Sequence, residues 1–271
     1  MIDRRQWQFW EDNGYLIVEG VLPPERTAAV RAALDARFDA EGEAAGAEGS
    51  DNPGVRRLCN LFSKGEAFER LGTEPIALEM AQRTIGDDIR WQAMNFHDPL
   101  PGDERPHQPI HADRSFFPGC LGYVNVIWAI DAMTDANGGT RLVPGSHKRP
   151  WPLDLADPRA PVEGEIVVAC PAGSAIFVHG DTWHGGRANR STSRRRAIHM
   201  GLACPNTAPQ YHIAEAITAA TRQRLGPLCR LIPAPLADFE RDETTKGRTL
   251  YGILAETRTE GRSREANVAP R

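Results

Sequence analysis

The chain has 271 residues, 32 Lys and Arg against 36 Asp and Glu, a net charge of −4, and five cysteines. A length of this order suits one large domain with a substantial core, and the charge balance leaves no basic footprint for nucleic acid and no acidic tail. The one basic cluster, Arg187, Arg190, Arg194, Arg195 and Arg196, lacks the interleaved aromatics that base stacking needs. No apolar run approaches the roughly 18 residues of a membrane span. The opening residues carry charges where a signal peptide is apolar, so a cytoplasmic protein is expected. The cysteines are odd in number, scattered and without a C-x-x-C pair. That argues against a disulfide framework and a thiolate zinc site, and it fits a reducing compartment.

Residues 6–18 read as a short amphipathic helix running into an apolar strand, broken at Asn13-Gly14. Leu22-Pro23-Pro24-Glu25 is a helix start, with prolines in the first turn and an acid near the positive end. Val30, Ala33, Leu34 and Phe38 then recur at helical spacing. The small, acidic, Gly-rich stretch 41–54 predicts a loop, and a second helical region follows at about 65–84, restarted near Pro75. From about residue 90 the texture changes. Runs at 90–97, 122–131, 165–169, 174–179 and 195–203 are rich in Val, Ile, Trp and Phe, with turn residues between them. Val124, Val126, Trp128 and Ile130 alternate with Tyr123, Asn125, Ile127 and Ala129, the period of a strand.

Helices followed by strands predict one domain, mainly β with flanking helices. A helical layer occupies about 1–88, a β core about 89–205, and a segment with one helix near 212–225 and an irregular charged tail runs to 271.

Three polar signals fall at strand ends: His111-Ala112-Asp113, His184 and Arg195. Positions i and i+2 of a strand share a face, so His111 and Asp113 can reach one metal from one short segment. A third ligand from a distant strand completes a triangular face and leaves the opposite face open. Two imidazoles and one carboxylate with vacant positions favour non-haem Fe(II). H-x-D alone is a weak pattern, since a strand histidine is more often a structural hydrogen-bonding residue. Context strengthens it: Gly185-Gly186 permits a tight backbone beside a crowded site, and the Asn189–Arg196 segment supplies guanidinium groups suited to a dicarboxylate co-substrate.

HQPIHADRSFF, NGGTRLVPGSHK, PAGSAIFVHGDTWHGG and NRSTSRRRA, in this order, resemble the phytanoyl-CoA dioxygenase-like (PhyH) family of Fe(II)/2-oxoglutarate oxygenases. The opening WQFWEDNGYLIVEGVLPPE shares the likeness, which spans roughly residues 7–203. The resemblance implies a double-stranded β-helix (jelly-roll, cupin-like) core. It also implies a reaction with O2 in which 2-oxoglutarate leaves as succinate and CO2 while a substrate C–H bond is oxidised. It makes His111, Asp113 and His184 the iron ligands; His179 reads as a structural residue at a strand end behind the site, His107 and His147 as loop and turn residues, and His199 and His212 lack a ligand partner at suitable spacing. The 2-oxoglutarate arginine lands on Arg195, with Arg194 and Arg196 as neighbours. Ala197 and Gly201 share the Arg195 face and leave room for a ligand, with His199 the bulky exception, whereas Ile198, Met200 and Leu202 share the Arg196 face.

Trp128 falls where the family often has an aromatic beside the co-substrate, and ordinary core explains it equally. Thr140, and Gln92 or Met94, are expected pocket walls; Ser191 reads as a turn partner of Asn189. Halogenases of the superfamily replace the ligand carboxylate by Ala or Gly, so the presence of Asp113 favours hydroxylation or another C–H oxidation: desaturation, cyclisation or demethylation. Arg114, Phe116, Phe117, Arg141, Trp183 and Arg187 are the expected substrate contacts. They suggest a small metabolite or natural-product intermediate, an anionic one included. Segments 41–56 and 147–164 are long enough for lids. A zinc hydrolase or isomerase on a cupin-type barrel, and a non-catalytic relative, are the rival classes; the dicarboxylate anchor and the intact triad disfavour them.

Overall fold

The computed structural model describes residues 1–49, 54–104, 108–117, 120–149, 157 and 159–241. The expected lids lie partly outside the described residues, and His107 and the tail beyond 241 wholly so.

Helix α1 (Arg4–Asn13) begins where Asp3 accepts from the amides of Arg5 and Gln6, both at 2.8 Å, while Gln6 accepts from the Asp3 amide at 2.9 Å. This reciprocal cap satisfies amides that the first helical turn leaves without partners. Gly14, at φ 73°, ends the helix and turns the chain into β1 (Tyr15–Val18). Helix α2 (Pro24–Glu41) starts on its prolines as expected. Strand β2 (Val55–Leu58) and helices α3 (Glu66–Gly72) and α4 (Pro75–Ile85) follow. The core then comprises β3 (Arg90–Pro99), β4 (Gln108–His111), β5 (Tyr123–Ala129), β6 (Thr140–Leu142), β7 (Ile166–Val167), β8 (Ala175–His179), β9 (His184–Gly186) and β10 (Ala197–Ala203).

The strands form two antiparallel sheets. A six-stranded sheet runs β1-β8-β5-β10-β3-β2 and a four-stranded one runs β4-β9-β6-β7, a jelly-roll arrangement. Strand β1 is the apolar strand expected after Asn13-Gly14, whereas β2, just beyond the stretch expected to be a loop, was not foreseen; the two edge the larger sheet. Strands β4, β6 and β9 are each three or four residues long, too short to show a period.

The larger sheet carries two cores, one on each face. Ile198, Met200, Leu202, Trp91, Met94, Phe96, Val124, Val126 and Trp128 pack against Leu34, Phe62, Phe68 and Met80 of the helical layer. Each such fully buried side chain contributes about 1.5–3 kcal/mol. On the other face Ile127, Ala129, Ile176, Val178 and Ala197 meet Leu142 of the smaller sheet. The inward face of β10 therefore carries Ala197, His199 and Gly201, as the residue alternation predicts.

The end of the chain departs from expectation. The region after 205 holds α5 (Ile213–Ala216), α6 (Ala219–Leu225), a 3-10 helix (Gly226–Leu231) and α7 (Leu236–Arg241). Leu236 and Phe239 bury against Ala208, and Arg224 binds the buried Glu69 carboxylate at 2.7 and 2.8 Å. These partners lie far away in sequence, so the segment looks irregular when read locally. No helix among the described residues is long and apolar enough to cross a membrane.

Candidate metal centre

Strands β4 and β9 are neighbours, and their register sets His111 directly opposite His184. His184 is also opposite Leu142, which lies in the core between the sheets, so both imidazoles face inward. A Cβ on Gly185 would meet the carbonyl oxygens of Pro109 and Gln108 at 2.8 and 2.9 Å, so only glycine lets the two strands approach this closely. Asp113 opens a 3-10 turn two residues beyond His111. Its Oδ1 is 3.4 Å from His111 Nε2 and its Oδ2 is 3.5 Å from His184 Nε2. All three donor atoms lie within 4.8 Å of one another.

The hydrogen bonds behind these groups set their protonation. His111 Nδ1 is 2.9 Å from the Pro109 carbonyl, and His184 Nδ1 is 2.9 Å from the Thr182 carbonyl. A carbonyl only accepts, so each Nδ1 carries the proton and each Nε2 offers its lone pair to the cluster. The Asn125 amide donates to Asp113 Oδ2 at 2.9 Å, which orients the carboxylate. Gln108 Nε2 lies 3.2 Å from His111 Nε2, on the lone pair that a metal would take, so that contact gives way on metal binding.

Burial pushes the Asp113 carboxyl up. The imidazoles of His184 and His111 and the hydrogen bonds of His111 and Asn125 outweigh it and hold the group well below the usual carboxylate range. Burial, with the neighbouring His111, lowers His184 against the pull of Asp113. Neutral imidazoles and an ionised carboxylate are the ligand forms. This donor set fits a divalent transition metal, and two imidazoles with one carboxylate suit iron that keeps open positions.

The inner face around the triad is polar. Asn95 lies opposite His199, and Asn125 opposite Gly201. Asn95 Oδ1, Asn125 Oδ1 and His199 Nε2 are buried without a hydrogen-bond partner among the described residues, as expected where a polar small molecule or water belongs. The His199 ring lies tilted against His97 at 4.5 Å between centroids. Burial, then the charge of Arg195, pushes its pKa down to about 3, so it is neutral. Tyr123 bonds Gln92 Oε1 at 3.1 Å. Arg195, two residues before the inward-facing Ala197, is fully buried, and burial lowers its pKa to about 10, which leaves it a cation. Its neighbours are committed elsewhere: Arg194 binds Asp98 at 2.6 and 3.0 Å, and Arg196 binds Asp131 at 2.7 and 2.9 Å. Arg57, opposite His97, shares the inward face.

The other expected site residues divide. Thr140, two residues from the inward Leu142, stays on the inner wall. The Phe116 ring lies 5.5 Å from the His111 ring, and Phe117 stacks on Tyr123 at 5.6 Å. Trp128 is corrected: it packs with Val124 and Val126 against the helices, on the face opposite Asn125, and so cannot border the co-substrate. Met94 packs there too.

Arg141, Trp183 and Arg187 are also corrected, because each alternates with an inward residue and lies on the outer face of the smaller sheet. Trp183 packs with Ile110 and Val143. Arg141 and Arg187 both pair with Glu165, at 3.3 and 3.5 Å. Arg114 is held by Asp181 at 2.7 Å. Ser191 bonds Asn189 in a turn, at 2.8 Å. Asn95, His97, Asn125, His199 and Arg57 escaped the sequence reading as site residues. For Asn125 a signal existed: it is the polar member of the Tyr123, Asn125, Ile127, Ala129 set.

A jelly-roll with a two-histidine, one-carboxylate cluster between its sheets defines a metal-dependent class of protein, the kind that non-haem iron oxygenases exemplify. The phytanoyl-CoA dioxygenase (PhyH) family model matches residues 10–197, and the chain belongs to that family. It is an Fe(II)/2-oxoglutarate-dependent dioxygenase. The Fe(II)/2-oxoglutarate-dependent dioxygenase nvfF of Aspergillus novofumigatus is 27% identical over 241 residues, 82% of this chain and 78% of that one. Dioxygenase trt7 of Aspergillus terreus is 28% identical over 213 residues, 72% and 71% of the two chains. The fold is similar to that of the non-heme alpha ketoglutarate dependent carbocyclase SnoK from nogalamycin biosynthesis (TM-score 0.66, 22% identity, 86% of this chain and 92% of that one). It is also similar to that of HygX from Streptomyces hygroscopicus, solved with nickel and 2-oxoglutarate bound (TM-score 0.62, 16% identity, 75% and 88%).

Proposed function

We propose that His111, Asp113 and His184 hold the iron, that Arg195 grips the distal carboxylate of 2-oxoglutarate, and that the enzyme oxidises a C–H bond of a small natural-product intermediate, by hydroxylation in the simplest case. The observation that carries this reading is the convergence of two carbonyl-oriented imidazoles and one amide-oriented carboxylate within 4.8 Å, beside a buried cation. When bound, iron and 2-oxoglutarate use O2 to supply the oxidising equivalents, and 2-oxoglutarate leaves as succinate and CO2. The chain's own residues position and exclude. Asn125 keeps Asp113 turned toward the imidazoles, Thr140 walls the cavity, and Phe116 shields one flank of His111 from water.

The substrate reading narrows. Arg114, Arg141 and Arg187 are the cations that suggested an anionic substrate, and each is matched to an acid. Phe116, Phe117 and Tyr123 remain, which favours an uncharged, largely apolar substrate body. Relatives named multifunctional dioxygenases, such as prhA of Penicillium brasilianum, and neighbours named carbocyclase and epimerase support keeping cyclisation and other oxidative outcomes beside hydroxylation.

The test is anaerobic loading with Fe(II) and 2-oxoglutarate. The expected result is a weak visible charge-transfer band, succinate on admission of O2, and loss of both with bound iron in His184→Ala. A fully loaded protein without the band, or full turnover by the variant, overturns the assignment. Screening of small metabolites by mass spectrometry, scored for oxidation coupled to succinate, then identifies the substrate.

A further inference from the structure

Five cysteines scattered along the chain without a C-x-x-C pair suggest no bridge, yet the fold brings two together. Cys120, just before β5, and Cys204, just after β10, have their sulfurs 3.8 Å apart. The pairing of β5 with β10 sets this distance: Ala203 is opposite Tyr123, and the Cys204 amide donates to the Gly122 carbonyl at 3.2 Å. Among the described residues no other two thiols are in hydrogen-bond contact. Both are nearly buried, at 4% and 8% exposure. A disulfide needs about 2.05 Å between sulfurs, so closure requires a side-chain rotation and a small loop shift rather than a rearrangement of strands.

A buried thiol pair is ordinarily inert packing. This pair differs because polar groups surround it. The Leu121 amide donates to Cys204 Sγ at 3.3 Å. The Thr207 hydroxyl donates to Cys120 Sγ at 3.0 Å and also lies 3.3 Å from Cys204 Sγ. The Cys204 thiol donates to Asn206 Oδ1 at 2.8 Å. The hydrogen bond from Cys120 is the leading cause that lowers Cys204 below the usual thiol range, and the same bond raises Cys120. The cation Arg114 stands nearby and donates to the Cys120 carbonyl at 3.1 Å. The Leu121 amide favours loss of the proton from Cys204, while the Gly122 carbonyl, 3.2 Å from Cys120 Sγ, accepts from the Cys120 thiol and favours its protonated form, the division of labour that thiol oxidation needs.

We propose that Cys120 and Cys204 form a reversible dithiol–disulfide site for hydroperoxides, with Cys204 as the attacking sulfur and Cys120 as the resolving one. The Cys204 thiolate attacks one peroxide oxygen and the O–O bond breaks. Cys204 becomes a sulfenic acid, and hydroxide leaves and takes a proton to become water. Cys120 sulfur then attacks Cys204 sulfur, the S–O bond breaks, and the departing hydroxide carries off the Cys120 proton as a second water. Two thiols lose two electrons and one peroxide gains them; a thiol reductant reverses the change. The bond would clip the 113–122 segment, which begins with Asp113 and carries Phe116 and Phe117, to the end of β10.

The test treats the full-length, metal-free protein with hydrogen peroxide and follows intact mass and peptide maps without reduction. The expected product has lost two hydrogens, contains a Cys120–Cys204 cross-linked peptide, and returns to the starting mass with dithiothreitol. In Cys120→Ser the expected result is a dimedone adduct on Cys204; in Cys204→Ser, Cys120 stays unlabelled. Failure to form the cross-link, a bridge to Cys59, Cys170 or Cys229 instead, or equal dimedone labelling of Cys120 in Cys204→Ser overturns the proposal. Should a variant fail to fold, alkylation rates in the native protein decide: Cys204 must react faster than Cys120.

Discussion

Replacing Arg195 by Ala tests the co-substrate anchor directly. The guanidinium is fully buried and remains a cation, its pKa at about 10 despite desolvation. A carboxylate bound there would make charge-assisted hydrogen bonds with little screening by water. Losing a hydrogen bond to a charged group costs roughly 1.5–3 kcal/mol, and each 1.4 kcal/mol is about tenfold in affinity. The Kd for 2-oxoglutarate should therefore rise roughly ten- to hundred-fold. An anaerobic titration of the Fe(II)-loaded protein, read at the charge-transfer band, measures it, and a separate iron titration should change little.

Arg195→Lys keeps the charge without the two-pronged geometry, so it should recover only part of the loss. Arg194 and Arg196 are engaged by Asp98 and Asp131, and their Ala variants should leave 2-oxoglutarate binding nearly unchanged. Unaltered affinity in a folded Arg195→Ala protein would refute the anchor. If Arg57→Ala weakened binding instead, the role would pass to that inward-facing cation.

Gly201→Ala should destabilise the protein by about 1–3 kcal/mol. The new Cβ would lie 2.8 Å from Tyr123 Cζ and 3.0 Å from Gln92 Oε1, and the stacked Phe117 limits how far the tyrosine can yield. A thermal melt reads this at about 2–4 °C per kcal/mol for a chain of this size, and an unchanged midpoint would contradict the packing. Arg196→Ala should cost stability at neutral pH by removing the two-pronged partner of Asp131 and leaving it only Arg31, at 3.2 Å, among the described cations. The Asp131 carboxyl is pushed up by burial but held on balance below its ordinary 3.8 by the Arg196 hydrogen bonds. A depressed acid stabilises the fold above its unfolded pKa and loses that contribution as pH falls through the folded value. The gap between wild type and Arg196→Ala in denaturant melts should thus narrow as the pH drops below about 4, and a constant gap would sink the linkage.

How much could be read locally follows from the range of each interaction. The H-x-D spacing, the turn-permitting Gly185 and the alternation of β5 and β10 are properties of neighbouring residues. They put His111 and Asp113 within reach of one metal and favoured Arg195 over Arg196 by parity, while the likeness to the family added His184 as the third proposed ligand. The same alternation argued against Trp128, which belongs with Val124 and Val126 rather than with Asn125. By contrast, the acids that neutralise Arg114, Arg141 and Arg196 are Asp181, Glu165 and Asp131. Each lies between 24 and 67 residues from its arginine, and no local pattern reveals such partners.

The amino-acid order by itself determined a mainly β core behind a helical layer, because side-chain periodicity follows from backbone geometry, and the likeness of its motifs to the family implied the jelly-roll class and the proposed ligand set. Tertiary pairing alone decided which arginines are matched to acids, that Asn95 and Arg57 share the inward face, and that Cys120 and Cys204 meet. Those outcomes depend on strand register and on residues distant along the chain, which folding alone brings within a few ångströms.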